Sequence, residues 1–172
     1  PIWGHLDTGM HGTYFVMKYL MEAGRNDLVF EMASQPDYPG WGYMIGKDAT
    51  TIWELWNGDT ADPGMNSHNH VMLLGDLLVW FYQYLAGIQP GANGFQHAVL
   101  APHVVGDLQY ARATHATPYG SYSSAWKIDG DRFVWDLRIP PNCDAEVHVP
   151  ARSAESVREG NGPAASSAGV KF

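Results

Sequence analysis

The apolar positions in the first half of the chain recur at steps of three and four residues, which is the spacing of amphipathic helices. The pattern predicts helices over residues 8–24, 25–34 and 71–85. The first is apolar around most of its girth, so it must be buried on more than one side. Asn69 and Gly87 suit the two ends of the third helix, and no strand pattern intervenes. The sequence therefore predicts an all-α region that ends near Ile88.

Beyond residue 94 the apolar period falls to two, the spacing of half-buried strands. Residues 89–94 have the composition of a linker, and Asp129-Gly130 between alternating runs is a hairpin signal. Short, regularly spaced strands predict an antiparallel β-sandwich, and the tail 152–172 holds one more hairpin or stays loose. We thus predict a helical domain over residues 1–88 and a β domain over 89–172. The predicted strands are 95–101, 108–114, 122–128, 132–139 and 145–149.

The segment between the second and third helices, residues 41–70, is the unusual part of the chain. Glycines and prolines interrupt it, so regular structure is not expected over most of its length. Trp41, Tyr43, Trp53 and Trp56 surround a single glutamate, Glu54. Disordered segments are poor in aromatic residues, so we interpret this one as an ordered loop that forms a site.

Composition and charge narrow the classes of partner. With 172 residues, 45% of them apolar, the chain can build a packed core. The net charge is −8 and there is no basic cluster, which argues against nucleic acid and against anionic membrane surfaces. No apolar run reaches the 18 or so residues of a membrane span. The chain begins at Pro1 without a signal-like segment, so we expect a piece of a longer polypeptide, and its compartment is unknown.

Glu54 is the candidate for proton transfer. Aromatic neighbours desolvate a carboxylate, which raises its pKa, and aromatic faces suit the apolar faces of sugar rings. The alternative is a solvated loop acid beside core tryptophans. His68 and His70 have metal-ligand spacing but lack a third and fourth ligand, so a hydrogen-bonding or helix-capping role is favoured and no metal or other cofactor is predicted. Asp59–Asp62 suits a turn better than a calcium loop, and Cys143 suits a structural role.

Several motifs, taken together and in order, resemble the C-terminal part of bacterial α-L-rhamnosidases. These are HLDTG at 5–9, YPGWGY at 38–43, ATTIWE at 49–54, SHNH at 67–70 and WFYQYLAGI at 80–88. Residues 102–108, 121–126 and 139–150 resemble the β-sandwich that follows the catalytic barrel in that family. The resemblance implies an inverting glycoside hydrolase in which the terminal helices of an (α/α)6 barrel precede an antiparallel β-sandwich.

The resemblance also implies roles for individual residues. The glutamate of the family's Thr-Thr-Ile-Trp-Glu motif, here Glu54, is the general base, and the histidine of its Asn-His pair, here His70, contacts rhamnose. Trp41 and Trp56 are expected to line the sugar pocket. The general acid lies in an earlier motif with no counterpart here, so the N-terminal part of the enzyme is an expected partner. Leu55 stands where many relatives carry arginine, which is expected to alter how Glu54 is positioned.

Three functions therefore stay open at the level of sequence. The first is a fragment of an α-L-rhamnosidase that acts on rhamnose-containing glycosides. The second is a non-catalytic carbohydrate-binding module that uses a Trp/Tyr platform. The third is a structural or interaction remnant whose exposed helices pack against a partner.

Overall fold

The structure is a computed structural model, and it describes residues 4–171. Its first part is helical, and the two earliest predicted helices are confirmed with shorter bounds. In chain order the helices are α1 (Met10–Glu22), α2 (Asn26–Ala33), α3 (Trp41–Gly46) and α4 (Leu77–Val79). A 3-10 turn, Val71–Leu74, precedes α4, and a π-helical segment, Trp80–Leu85, continues it.

The prediction of one continuous helix over residues 71–85 was wrong. Gly75 has a φ of 57°, a left-handed conformation that ends the 3-10 turn before α4 begins. Asn69 does not cap a helix. The next residue, His70, is instead bonded to a distant segment, because its N–H donates to the Ile52 carbonyl. The break allows Leu73 to be completely buried. An apolar period alone could not reveal this interruption.

The predicted loop over residues 41–70 contains one regular element, the six-residue helix α3. Its first residue, Trp41, is buried and its indole N–H donates to the Leu73 carbonyl at 3.2 Å. The rest of the segment consists of turns and irregular chain, as predicted. The helix therefore anchors one end of the loop in the core of the helical part.

Among the described residues that follow, the strands form two three-stranded sheets and one short hairpin. The first sheet has the order β1-β2-β6, the second β3-β4-β5, and β7 pairs with β8. Their bounds are Ile88–Gly91, Gly94–Leu100, Tyr110–Thr117, Gly120–Asp129, Arg132–Arg138, Asp144–Val147, Arg158–Glu159 and Gly162–Pro163 for β1 to β8. The helical part followed by a β-sheet domain agrees with the predicted fold class.

Two details of the β prediction were wrong. Residues 89–94 are not a linker, because Ile88–Gly91 forms a strand that pairs antiparallel with β2. Pro90 is compatible with this pairing because β1 is an edge strand. The first sheet is also not purely antiparallel, since β6 pairs parallel with β2 from His97↔Asp144 onward. The hairpin at Asp129-Gly130 and the hairpin in the tail are confirmed.

Contacts divide the chain into two compact units. The first extends to Leu85 and includes Val104–Leu108, and the second comprises Ala86–His103 and the chain from Gln109 onward. Gly106 has a φ of 56° and lies against the Phe30 ring, which explains why its short segment belongs to the helical unit. The predicted domain boundary at residues 88/89 stays a prediction.

The β unit is organised around one buried cluster that both three-stranded sheets share. It consists of Ile88, Ala98, Leu100 and Tyr122, with partly buried apolar residues around it. The Tyr122 hydroxyl donates to the Phe95 carbonyl at 2.8 Å. Burial, followed by the interaction with the Cys143 thiol, raises the pKa of Tyr122 to about 12. Cys143 is partly buried against this cluster, which agrees with the structural role predicted for it.

Within the described residues, no helix has both the length and the apolar character that a bilayer crossing requires.

Candidate active site

Two irregular segments of the helical unit bring Glu54 and His70 together. The Glu54 N–H donates to the Ser67 carbonyl at 2.8 Å, and the His70 N–H donates to the Ile52 carbonyl at 2.7 Å. These two bonds align residues 52–54 with residues 67–70. Glu54 and His70, 16 positions apart in the sequence, become neighbours for this reason.

The Glu54 carboxylate is fixed on one side and open on the other. Its Oε2 accepts a hydrogen bond from the Ser67 backbone N–H at 2.9 Å. The Nδ1 atom of His70 lies 3.8 Å from the same oxygen, beyond hydrogen-bond distance. The side chains of His70 and Glu54 are 21% and 32% exposed. A carboxylate held in place beside an imidazole, with access to solvent, can accept a proton from water.

The His70 ring is turned partly into the protein. Its Nε2 atom is buried and has no hydrogen-bond partner among residues 4–171. A buried polar atom without a partner is uncommon and costs stability. The described part of the chain therefore leaves one donor or acceptor of this histidine unused.

Trp41 and Trp56 lie in the core rather than on an exposed surface. Their rings meet edge to face with centroids 5.3 Å apart, and they are 5% and 6% exposed. The Trp56 indole N–H donates to the Thr8 carbonyl at 2.9 Å. Trp53 is also buried. These tryptophans do not provide the flat, exposed platform that a carbohydrate-binding module requires.

The loop between Glu54 and Ser67 is closed by its own polar side chains. Asn66 accepts from the Leu55 N–H and donates to the Gly58 carbonyl, both at 3.3 Å. His68 Nε2 lies 2.9 Å from the same carbonyl. Leu55 is exposed. The Asn66 and His68 side chains thus meet at the Gly58 carbonyl.

A second polar group lies on α3 and the same loop. The Tyr43 hydroxyl donates to Asp59 at 2.9 Å, and Lys47 Nζ lies 3.4 Å from the Asp59 carboxylate. The hydrogen bond to Asp59 raises the pKa of the Tyr43 phenol. Although burial opposes it, hydrogen bonding from Tyr43 and Lys47 lowers the pKa of Asp59 below its usual value. The group fastens the loop to α3.

The acidic run Asp59–Asp62 forms a turn, as the sequence predicted, with the Gly64 N–H bonded to Asp62 Oδ1 at 2.8 Å. In the part of the chain that the structure describes, no three His, Cys, Asp or Glu side chains are grouped to hold a metal ion.

Sequence reasoning missed the groups that position Glu54. The anchoring donor is the Ser67 backbone N–H, which no residue type in the sequence could indicate. The sequence also could not indicate that Asn66 and His68 both contact the Gly58 carbonyl. It indicated only the region, through the polar cluster at 67–70.

Two family models match consecutive parts of this chain. Residues 3–85 match the bacterial alpha-L-rhamnosidase 6 hairpin glycosidase domain, and residues 87–163 match the bacterial alpha-L-rhamnosidase C-terminal domain. The chain belongs to the bacterial α-L-rhamnosidase family. The order of the two domains agrees with the helical part and the β part of the structure.

Individual α-L-rhamnosidases are similar over most of the chain. Alpha-L-rhamnosidases of Streptomyces avermitilis and Alteromonas sp. are 37% and 38% identical to it, over 92% and 86% of its length. The chain spans only 16% of the length of each of these relatives.

Solved α-L-rhamnosidase structures have the same fold. The Streptomyces avermitilis enzyme complexed with L-rhamnose superposes with a TM-score of 0.83 at 35% identity. The superposed region is 92% of this chain and 17% of that enzyme's chain. The enzyme from Dictyoglumus thermophilum superposes with a TM-score of 0.80 at 39% identity, and covers 87% of this chain and 17% of its own. The chain thus corresponds to a minor part of an α-L-rhamnosidase.

Proposed function

We propose that this chain is the C-terminal part of an α-L-rhamnosidase that removes terminal α-L-rhamnose with inversion of the anomeric carbon, and that Glu54 is its general base. The observation that carries the proposal is the fixed carboxylate: Glu54 Oε2 is bonded to the Ser67 N–H at 2.9 Å, with His70 Nδ1 3.8 Å away. Family membership supports this substrate class. The side chain of Glu54 is exposed enough to meet water and a sugar.

The proposed mechanism uses the two oxygens of Glu54 differently. Oε2 is engaged by the backbone, while Oε1 has no hydrogen bond within residues 4–171. Oε1 therefore accepts the proton of a water molecule as that water attacks the anomeric carbon. Inversion also requires a carboxylic acid on the opposite face, roughly 6.5–9.5 Å from the base, to protonate the leaving oxygen. We assign that acid to the part of the enzyme that precedes this chain.

His70, Trp41 and Trp56 have supporting roles in the proposal. His70 is the sugar-contacting residue, because it lies beside the base and is one-fifth exposed. We assign Trp41 and Trp56 to the floor of the sugar pocket; their rings are buried and their indole N–H groups donate to backbone carbonyls. A floor of this kind keeps the loop rigid without needing broad contact with the sugar.

The first test is Glu54→Gln in the full-length enzyme, with 4-nitrophenyl α-L-rhamnopyranoside as substrate. The amide keeps the shape of the side chain and cannot accept the proton of water, so we expect kcat to fall by about 10²- to 10⁴-fold. Glu22→Gln is the matched control. Glu22 forms an exposed ion pair with Lys18, so its loss is expected to leave kcat unchanged.

A second measurement identifies the role of the carboxylate. In Glu54→Ala, azide attacks the anomeric carbon without needing a base, the glycosidic C–O bond breaks, and the 4-nitrophenolate leaves. We expect azide to restore turnover and to give the β-L-rhamnosyl azide. Near-normal kcat in Glu54→Gln, or an azide product of retained configuration, contradicts the assignment.

A further inference from the structure

The position of the Glu54 carboxylate depends on a residue 13 positions away. Glu54 and Ser67 exchange two hydrogen bonds, from the Glu54 N–H to the Ser67 carbonyl and from the Ser67 N–H to Glu54 Oε2. The intervening loop contains no helix or strand. Whatever holds this loop closed therefore sets where the carboxylate lies.

The His68 side chain forms one of the bonds to this loop. Its Nε2 lies 2.9 Å from the Gly58 carbonyl, and because a carbonyl only accepts, Nε2 carries the proton. Asn66 donates to the same carbonyl at 3.3 Å and also accepts from the Leu55 N–H. Asn66 and His68 flank Ser67 in the sequence, and both are thus bonded to the segment that follows Glu54.

The ring of His68 has a second contact, with Trp53. The two ring centroids are 5.5 Å apart with an angle of 32° between the planes. Gly58 packs against the same indole, since a Cβ on Gly58 would lie 2.7 Å from Trp53 Cδ2. Trp53, Gly58 and His68 form one packed group, and Trp53 is the residue directly before Glu54.

We infer that His68 is a positioning residue for Glu54. By donating to the Gly58 carbonyl and packing on Trp53, it keeps the loop closed so that the Ser67 N–H reaches Glu54 Oε2. In this role His68, which is itself exposed, acts on Glu54 through the loop. The inference rests on the proposed function, because it assigns His68 an effect on the turnover that Glu54 supports.

Two variants in the full-length enzyme separate the two contacts of His68. His68→Phe keeps a ring against Trp53 and removes the donor, while His68→Gln keeps a donor and removes the ring. We expect His68→Phe to lower kcat by about three- to tenfold, the effect of one hydrogen bond, with KM within about twofold. His68→Gln should recover most of the lost kcat. The matched control is His148→Phe, since His148 is an exposed histidine of the β unit.

The azide reaction distinguishes positioning from general loss of structure. In the Glu54→Ala background there is no carboxylate to position, so adding His68→Phe should leave azide-supported turnover unchanged within about twofold. Equal loss of kcat in His68→Phe and His68→Gln, unchanged kcat in His68→Phe, or a further loss of the azide reaction overturns the inference. Normal kcat in Glu54→Gln would instead overturn the proposed function, so the two failures are distinguishable.

Discussion

Gly42 and Gly46 lie one helical turn apart in α3, and only one of them is required by its surroundings. A Cβ at Gly42 would lie 2.2 Å from the backbone carbonyl oxygen of Gln35, whereas a Cβ at Gly46 would meet nothing within 4 Å. The backbone at Gln35 cannot move away as a flexible side chain would. At the scale of single residues, the close approach of α3 to the preceding turn therefore requires a residue without a side chain at position 42.

This contrast gives a paired prediction. Gly42→Ala should lower the free energy of unfolding by about 1–3 kcal/mol, because it overpacks a backbone contact. Gly46→Ala should leave it unchanged or raise it by up to about 1 kcal/mol, because alanine favours helix and the space is open. Urea denaturation followed by tryptophan fluorescence measures both. Equal effects of the two substitutions would contradict the contact at Gln35.

At the scale of elements, local periodicity identified most helices and strands but not their pairing. The predicted third helix is divided at Gly75, and the predicted linker is the edge strand β1. In both cases a contact with a distant segment overrides the local signal. Ile88 of β1 is buried beside Tyr122 of β4, so burial explains why a Pro- and Gly-containing segment is held as a strand.

Tyr122 is expected to make the free energy of unfolding of the β unit depend on pH in the alkaline range. Its pKa is raised to about 12 by burial and by Cys143, so the folded state favours the protonated phenol. The resulting stabilisation is fully present below pH 10, near the pKa of an unfolded tyrosine, and is lost as the pH rises towards 12. The shift corresponds to on the order of 2–3 kcal/mol.

We therefore expect the Tm of the wild type to fall more steeply between pH 10 and 12 than the Tm of Tyr122→Phe. The variant should be less stable at neutral pH, because it loses the bond to the Phe95 carbonyl. Tyr110→Phe is the control, since Tyr110 is exposed on the same sheet and should leave the alkaline slope unchanged. Parallel slopes for the wild type and Tyr122→Phe would show that Tyr122 is not the titrating group.

At the scale of the whole molecule, α1 has one buried face and one bare apolar face. Met17 and Met21 are buried, whereas Phe15 and Tyr19 are 64% and 69% exposed. The sequence predicted burial on more than one side of this helix. Because the chain spans 16% of the length of its relatives, we propose that the rest of the enzyme covers the bare face.

Phe15→Glu tests this proposal in the full-length enzyme. A charge placed against a covering apolar surface should lower the Tm by several degrees, because a buried unpaired charge is strongly unfavourable. Glu22→Ala on the same helix should have little effect, since Glu22 is exposed and its ion pair with Lys18 lies on the surface. An unchanged Tm in Phe15→Glu would mean that this face stays exposed to solvent in the complete enzyme.

The sequence by itself determined the order of a helical part and a β part, the first two helices, and the segment that contains Glu54 and His70. These features depend on periodicity, turn chemistry and residue type, which are local properties of the chain. Only the tertiary structure decided that β6 pairs parallel with β2, that the tryptophans at 41, 53 and 56 are buried, and that Ser67 and Glu54 meet. Each of these depends on which distant segments come into contact, and such pairings are fixed by long-range packing and backbone hydrogen bonds.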